Sequence, residues 1–162
     1  MAWTTPKTWT VDEVVGASDM NTHLRDNLVA LKDPPSAIYD GGTLTHTTTS
    51  STFADVDAVN LKLSVTITGD TVLIGFVGEC SSVSSASILG LDITVNGVSV
   101  TGGAGVILSH YLPTNETENV SFVWRETGLV AGKKEFRLQF RRPVLSGTVK
   151  LYSTQFWVAE VS

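Results

Sequence analysis

The sequence predicts a mainly β protein, an antiparallel β-sandwich or jelly roll that is preceded by an extended arm and one short α-helix. After Pro34-Pro35, short alternations of apolar and polar residues recur with turn residues between them, which is typical of β-sandwiches. Before the two prolines, apolar residues recur at helical spacing over residues 18–32, which predicts one helix. We therefore divide the 162 residues into a docking arm and helix, 1–35, and a jelly-roll β-domain, 36–162.

The composition is that of a globular protein and argues against several kinds of partner. Hydrophobic residues make up 42% of the chain, and the formal net charge is −5. A nucleic-acid binder needs a basic stripe, so we expect no nucleic-acid partner. No stretch has the ~18 apolar residues of a membrane helix, and none near the start resembles a secretion signal. We therefore expect no membrane insertion, and we expect the protein to be made in a cytoplasm. The single cysteine, Cys80, excludes an internal disulfide.

The first ten residues favour an extended arm, because threonine and tryptophan prefer strands and proline blocks a helix. Trp3 and Trp9 lie on this arm, and tryptophan is a frequent anchor at protein interfaces. We expect both to dock against a surface, as interface anchors do. The alternative is that they cover the chain's own β-domain.

The helix is predicted to begin after Ser18 as N-cap and to end before the two prolines. Leu24, Leu28 and Leu31 follow one another at helical spacing and form a narrow apolar seam. This spacing fits a short coiled coil, with Asn21 as a polar residue that sets the register. The alternative is a helix that lies on its own β-domain.

Period-two patterns predict the strands of the β-domain. Residues 59–67 and 89–95 alternate between apolar and polar, which predicts strands with one buried face. Residues 71–77 are apolar on both faces, which predicts a central strand. Asn96-Gly97 between alternating residues predicts a two-residue hairpin.

The last strand is apolar on both faces. Phe156 and Val158 have one parity, whereas Trp157, Ala159 and Val161 have the other. Such a pattern requires a bulge or a second surface from outside. We expect a subunit interface formed by the three consecutive residues Phe156, Trp157 and Val158, and hence an oligomer.

No catalytic constellation stands out, and we expect neither an enzyme nor a cofactor nor a metal site. His23, His46 and His110 lie far apart in sequence, without the spacing of metal ligands. Asp55 and Asp57 are predicted to project to one side of a strand, as calcium ligation or paired-carboxylate catalysis needs. No third ligand is close, so we expect two separate carboxylates at a strand start.

Residues 9–28 resemble a segment found at the start of many tailed-bacteriophage virion proteins. The shared residues are Trp9, the run Asn21-Thr22-His23-Leu24-Arg25-Asp26-Asn27-Leu28 and the acidic and small residues between them. Asp12 and Gly16 depart from the usual glycine and threonine of that pattern. The resemblance implies a component of the virion surface, such as a tail fibre.

The β-domain is similar, more distantly, to the trimeric jelly roll of complement-type globular heads and tumour-necrosis-factor-like ligands. The similar segments are residues 89–97, 128–132, 136–141 and 156–161. In that family the last strand contributes to the threefold interface, so the similarity implies a homotrimer.

These observations lead to one expectation about function. The chain is expected to be a non-enzymatic phage virion protein, a trimeric tail-fibre or receptor-binding component that contacts other virion proteins and a host-surface glycan or protein. A head-decoration protein is the alternative, and a glycan-degrading enzyme is a remote one that would need two carboxylates flanking a groove.

Overall fold

The computed structural model describes residues 4–5, 7–103, 105–144 and 146–161. Within these residues, one helix and eleven strands follow one another. The helix has an α-helical segment Ala17–Met20, a π-helical segment Asn21–Asp26 and an α-helical segment Asn27–Lys32. The strands are β1 Ser36–Asp40, β2 Thr45–Thr48, β3 Ala54–Asp55, β4 Lys62–Ile67, β5 Val72–Val83, β6 Ser87–Val95, β7 Val98–Ser99, β8 Leu108–Leu112, β9 Thr117–Glu126, β10 Gly132–Arg141 and β11 Thr148–Glu160.

The strands form two antiparallel sheets. Sheet A has the order β1-β11-β5-β9, with β2 also paired to β11. Sheet B has the order β3-β10-β6-β7, with β4 also on β10 and β8 on β6. From β4 onward the chain passes repeatedly from one sheet to the other, for example from β4 to β5 and from β9 to β10. This path is that of a jelly-roll β-sandwich, the fold class that the sequence predicts.

The core lies between the two sheets and is built from alternate residues of the long strands. Its fully buried side chains include Ile74, Phe76, Leu91, Ile93, Phe136, Leu138, Phe156 and Val158. The period-two pattern of the sequence places these residues on one face of each strand. The described part of the chain contains no helix that is long and apolar enough to cross a membrane.

Two sequence predictions about the strands have opposite outcomes. The hairpin is confirmed, because Asn96 and Gly97 both have positive φ, at 50° and 82°, and Val95 pairs with Val98. The prediction that Val59 points into the core is wrong, since its side chain is 78% exposed. Asp57 accepts hydrogen bonds from the backbone N–H groups of residues 59 and 60. This turn delays the start of β4 to Lys62.

The helix begins earlier than predicted. Gly16 occupies the N-cap position in an extended conformation, and its carbonyl oxygen accepts a hydrogen bond from Met20 N–H at 3.1 Å. Ser18 therefore lies inside the first turn, and its prediction as N-cap is wrong. The helix ends at Lys32, because a residue that precedes proline is disfavoured in the α conformation.

A buried carboxylate closes the end of the sandwich at which β1 begins and β11 ends, which we call the base. Glu160 is almost fully buried and accepts hydrogen bonds from Thr68 N–H at 3.0 Å, from Thr68 Oγ1 at 2.9 Å and from Gly69 N–H. Its own N–H donates to the carbonyl oxygen of Pro35 at 2.9 Å. Glu160 thus joins the β4–β5 turn and the segment after the helix to the last strand.

We expect Glu160→Gln to lower the free energy of unfolding by about 1.5–3 kcal/mol, because the charged hydrogen bonds that the buried carboxylate accepts from Thr68 and Gly69 are lost. Urea unfolding at a fixed protein concentration measures the change. Glu116→Gln is the matched control, since Glu116 is exposed, and we expect a change within about 0.5 kcal/mol. Equal midpoints for the two variants would show that Glu160 does not stabilise the base.

Candidate functional site

The arm lies along the chain's own helix and is held there by one asparagine side chain. Thr4 N–H donates to Asn27 Oδ1, and Asn27 Nδ2 donates to the carbonyl oxygen of Thr4, both at 2.8 Å. Asn27 Nδ2 also donates to the carbonyl oxygen of His23 at 3.3 Å. The buried side-chain amide therefore pairs with the arm as the backbone amide of a neighbouring strand would.

Trp9 completes the contact between arm and helix. Its ring meets the His23 ring edge-on, with centroids 6.5 Å apart, and Lys7 Nζ lies 4.7 Å from the Trp9 ring centroid. Lys7 also forms ion pairs with Glu13 and with Asp19. The hydrogen bond between Lys7 and Glu13 raises the pKa of Lys7 and lowers the pKa of Glu13.

Two ring contacts of Trp9 are described, one with His23 of the helix and one with Lys7 of the arm. Docking against another protein and cover of the chain's own β-domain both stay predictions. The side chain stays 40% exposed, which leaves one face open to a further contact. Trp3 lies outside the described residues.

An apolar stripe, defined as Met20, Leu24, Leu28 and Leu31, runs along the exposed side of the helix. These side chains are 44%, 47%, 63% and 62% exposed, in that order. A helix that packed this stripe on its own sheets would bury it, so the structure argues against that alternative. Asn21 is exposed as well, and the buried asparagine of the helix is Asn27, on the side of the arm.

A second apolar surface covers the outer face of sheet A near the base. Ile38, Trp157, Gly75 and Val123 form one row across the four strands β1, β11, β5 and β9. Leu73 and Val77 flank this row. Ile38, Val77 and Val123 are 67%, 41% and 64% exposed, and Trp157 is half-buried. We call this group, Ile38, Leu73, Val77, Val123 and Trp157, the sheet A patch.

Gly75 allows the Trp157 ring to lie flat on the sheet. A Cβ atom at position 75 would lie 2.0 Å from Trp157 Cε2, so any other residue would displace the ring. The indole thus fills the space above the glycine. Its outer side remains part of the sheet A patch.

The expected subunit interface at Phe156, Trp157 and Val158 needs a correction. Phe156 and Val158 are fully buried in the chain's own core, so they cannot contact another subunit in this fold. Trp157, with the opposite parity, faces outward. β11 pairs with β1 and with β5 and is therefore a central strand of sheet A. Its inner face near the base packs in the core, and its outer face there carries Trp157 of the sheet A patch. The sequence could have indicated this, because neighbouring residues of a strand point to opposite faces, so Trp157 cannot share a face with Phe156 and Val158.

The paired carboxylates do not form a joint site. Asp55 accepts hydrogen bonds from Arg137 Nη1 at 2.7 Å and Gln139 Nε2 at 2.9 Å. Asp57 instead accepts from the turn that follows it, and hydrogen bonds from Asn60 lower its pKa. Each carboxylate is satisfied separately by its own neighbours.

The other candidate groups are also separate from one another. His110 contacts Glu118, and His23 contacts Trp9. Burial raises the pKa of the Cys80 thiol to about 12, so this cysteine is unreactive. Within the described ranges, no group of three or more histidine, cysteine, aspartate or glutamate side chains could hold a metal ion. The stripe and the patch, rather than a polar cluster, are therefore the candidate functional site.

Comparison with known proteins adds structural likenesses and no relative by sequence. No protein-family model matches the chain, and neither does any curated protein. The structure is similar to Eiger TNF from S. frugiperda, with 8% identity, a TM-score of 0.49 and coverage of 80% of this chain and 94% of that chain. It is also similar to a structure of infectious bursal disease virus Gt strain, with 6% identity, a TM-score of 0.48 and coverage of 78% and 33%.

A third similar structure is the EclA C-terminal domain, described as a sugar-binding protein, with 9% identity, a TM-score of 0.39 and coverage of 76% and 78%. The assignment of a jelly roll rests on the strand order given above and not on these scores.

We expect Asn27→Ala to release the arm from the helix. Two hydrogen bonds of about 1 kcal/mol each hold Thr4, so their loss raises the open population roughly tenfold or more. The rate of trypsin cleavage after Lys7, followed by mass spectrometry, reports the opening. Asn21→Ala is the control, because Asn21 is exposed. A cleavage rate in Asn27→Ala equal to that of the control would contradict the role of Asn27.

Proposed function

We propose that the chain is a non-enzymatic structural protein of a tailed-phage virion, a homotrimeric tail-fibre or receptor-binding component on the particle surface. One observation carries the proposal: a single copy leaves two apolar surfaces exposed, the stripe on the helix and the patch on sheet A. The patch lies in the half of sheet A that is near the base, and the helix joins β1 at the base. Both surfaces are therefore close to one end of the molecule.

Exposed apolar groups that are contiguous mark interaction surfaces. The patch lies on an open sheet face, which suits contact with other copies, and the helix with its arm suits contact with a particle. The other half of the same sheet face is polar, with a 2.7 Å hydrogen bond between Thr117 Oγ1 and Tyr152 OH. This division supports an interface that is confined to the base half.

The link to a virion comes from the sequence segment that resembles phage proteins. His23 and Asn27 belong to that segment, and they are the residues that hold Trp9 and Thr4 of the arm. The resembling residues thus build the unit of arm and helix and not the β-domain, which we call the head. We infer that this unit attaches the protein to the particle and that the head projects outward.

Host adhesion follows from this arrangement. The loops at the end of the sandwich opposite the base would face away from the particle, and loops on a rigid scaffold are frequent binding elements. Three heads in one trimer would strengthen weak binding to a surface glycan or protein through avidity.

We expect the double variant Ile38→Glu, Val123→Glu to fold as the wild type does and to lose self-association. Both side chains are exposed in a single copy. Burying unpaired carboxylates costs several kcal/mol, and each 1.4 kcal/mol changes the dissociation constant tenfold, so we expect an increase of at least about 100-fold. Analytical ultracentrifugation measures association, and thermal unfolding checks the fold.

Val59→Glu is the control for this double variant, since Val59 is exposed in a turn outside the sheet A patch. A wild-type protein that sediments as a monomer at micromolar concentration would refute the proposed trimer.

We expect deletion of residues 1–33 to leave a folded β-domain and to abolish incorporation into particles. The described part of the chain has no hydrogen bond or ion pair between the helix and either sheet, so the sheets keep their contacts. Circular dichroism tests folding, and immunoblotting of purified particles tests incorporation. Truncated protein found in particles at the wild-type level would contradict the attachment role.

Labelled full-length protein separates the two virion locations. Label at the tail tip supports a tail-fibre or receptor-binding component. Label over the capsid lattice supports the alternative, a head-decoration protein.

A further inference from the structure

One arginine at the end of the sandwich opposite the base carries a charge that the chain does not pair. β10 begins at the base, beside the β4–β5 turn, and ends at Arg141, so this residue lies at the opposite end, which we call the outer end. Among the residues that the structure describes, none forms an ion pair with the Arg141 guanidinium or accepts a hydrogen bond from it. Its enclosed Nε likewise has no acceptor there. Arg137 on the same strand, by contrast, pairs with Asp55 and Glu135.

Packing holds the Arg141 side chain in place. Phe140 is buried in the core, so Arg141 points to the outer face of sheet B. There its guanidinium carbon lies 4.4 Å from the centroid of the Phe53 ring. Gly90 is its partner on β6, and a Cβ atom at position 90 would lie 3.2 Å from Arg141 Cγ and 3.4 Å from Val106 Cγ1. The glycine thus leaves room for both side chains above β6, and the arginine is positioned before any ligand binds.

Two carboxylates on the same face of sheet B are bound by other residues. Asp55 on β3 accepts hydrogen bonds from Arg137 and Gln139. Asp92 on β6 is fully buried and accepts hydrogen bonds from two hydroxyl groups. The charge of Arg141 is therefore available to an anion from outside the chain. A guanidinium has the planar arrangement of donors that fits the two oxygens of a carboxylate or phosphate group.

Hydroxyl groups are exposed on both sides of Arg141. Ser51 and Thr52 are exposed in the segment that leads to Phe53, and Ser109 is exposed on β8, where it pairs with Gly90. Hydroxyls both donate and accept hydrogen bonds, as contacts with the hydroxyls of a sugar require. Tyr111 lies two residues after Ser109 on β8, and its ring is 58% exposed. These groups favour a sugar as the carrier of the anion.

We propose that Arg141 binds the carboxylate or phosphate group of an acidic sugar in a host-surface polysaccharide. The guanidinium donates hydrogen bonds to the anion, and Phe53 and Gly90 position it. This inference rests on the proposed host adhesion, for which it assigns the class of ligand and the place of binding. In that arrangement the outer end of the head faces away from the particle and towards the host.

Short ligands test the site in the full-length protein, because one short ligand contacts one head and its binding does not depend on the trimer. The probes are trigalacturonate, the neutral trisaccharide made by reducing its carboxyl groups, and mannose 6-phosphate. Isothermal titration calorimetry measures each dissociation constant. We expect the wild type to bind at least one acidic probe about tenfold or more tightly than the neutral one, because charged hydrogen bonds are formed. The two acidic probes distinguish carboxylate from phosphate.

Three variants make the test specific. Arg141→Gln should weaken binding of the acidic probe about tenfold or more, and Arg141→Lys should give an intermediate affinity, because it keeps the charge without the planar donors. Arg125→Gln is the matched control, since Arg125 is exposed on β9 near the base and its loss changes the net charge equally. We expect it to bind as the wild type does. Thermal unfolding checks the fold of each variant.

The outcomes separate this inference from the proposed function. Wild-type protein that binds neither acidic probe would overturn the site and leave the trimer and the attachment to particles standing. An equal loss of affinity in Arg141→Gln and Arg125→Gln would show general charge attraction and also overturn it. Tighter binding of a triglutamate peptide than of either acidic sugar would indicate a protein partner and overturn the assignment of a glycan. A protein that is absent from particles would overturn the proposed function, whatever the probes show.

Discussion

In a two-layer sandwich each sheet buries one face against the other, and its second face meets water, a loop or another molecule. Sheet B meets water with a polar surface, in which Arg137 bridges Asp55 and Glu135 at 2.7 Å each. Sheet A differs, because its outer face near the base carries the apolar row through Trp157. An apolar sheet face of this kind contributes favourable burial free energy only when another surface covers it. The proposed self-association depends on this difference between the two outer faces.

The unit of arm and helix obeys the same constraint on a smaller scale. A helix of four to five turns is marginal in water unless one side is covered. Here the arm covers one side through Asn27 and Trp9, and the leucine stripe stays exposed on another. The arm therefore does not compete with a partner for the stripe. It prepares a helix whose remaining apolar side is available for binding.

Much of the fold follows from local patterns. The alternation over residues 89–95 and the Asn96-Gly97 hairpin are present as predicted, because side-chain parity and left-handed turn residues are properties of a few neighbouring positions. Val59 has the correct parity but lies in a turn that Asp57 caps, and a pattern of hydrophobicity does not register such a cap. The N-cap of the helix is Gly16 and not the predicted Ser18. The residue types that are common at N-caps indicate only approximately where a helix begins.

The candidate site depends more strongly on contacts between distant residues. The sequence by itself determined that the protein is mainly β, that one helix carries a leucine stripe and that the last strand is apolar on both faces. Only the tertiary structure decided that Phe156 and Val158 belong to the core, that Trp157 faces outward over Gly75 and that Asn27 holds the arm. The reason is physical: parity tells which residues share a face, whereas the neighbour that covers that face is set by strand order, which joins positions far apart in the chain.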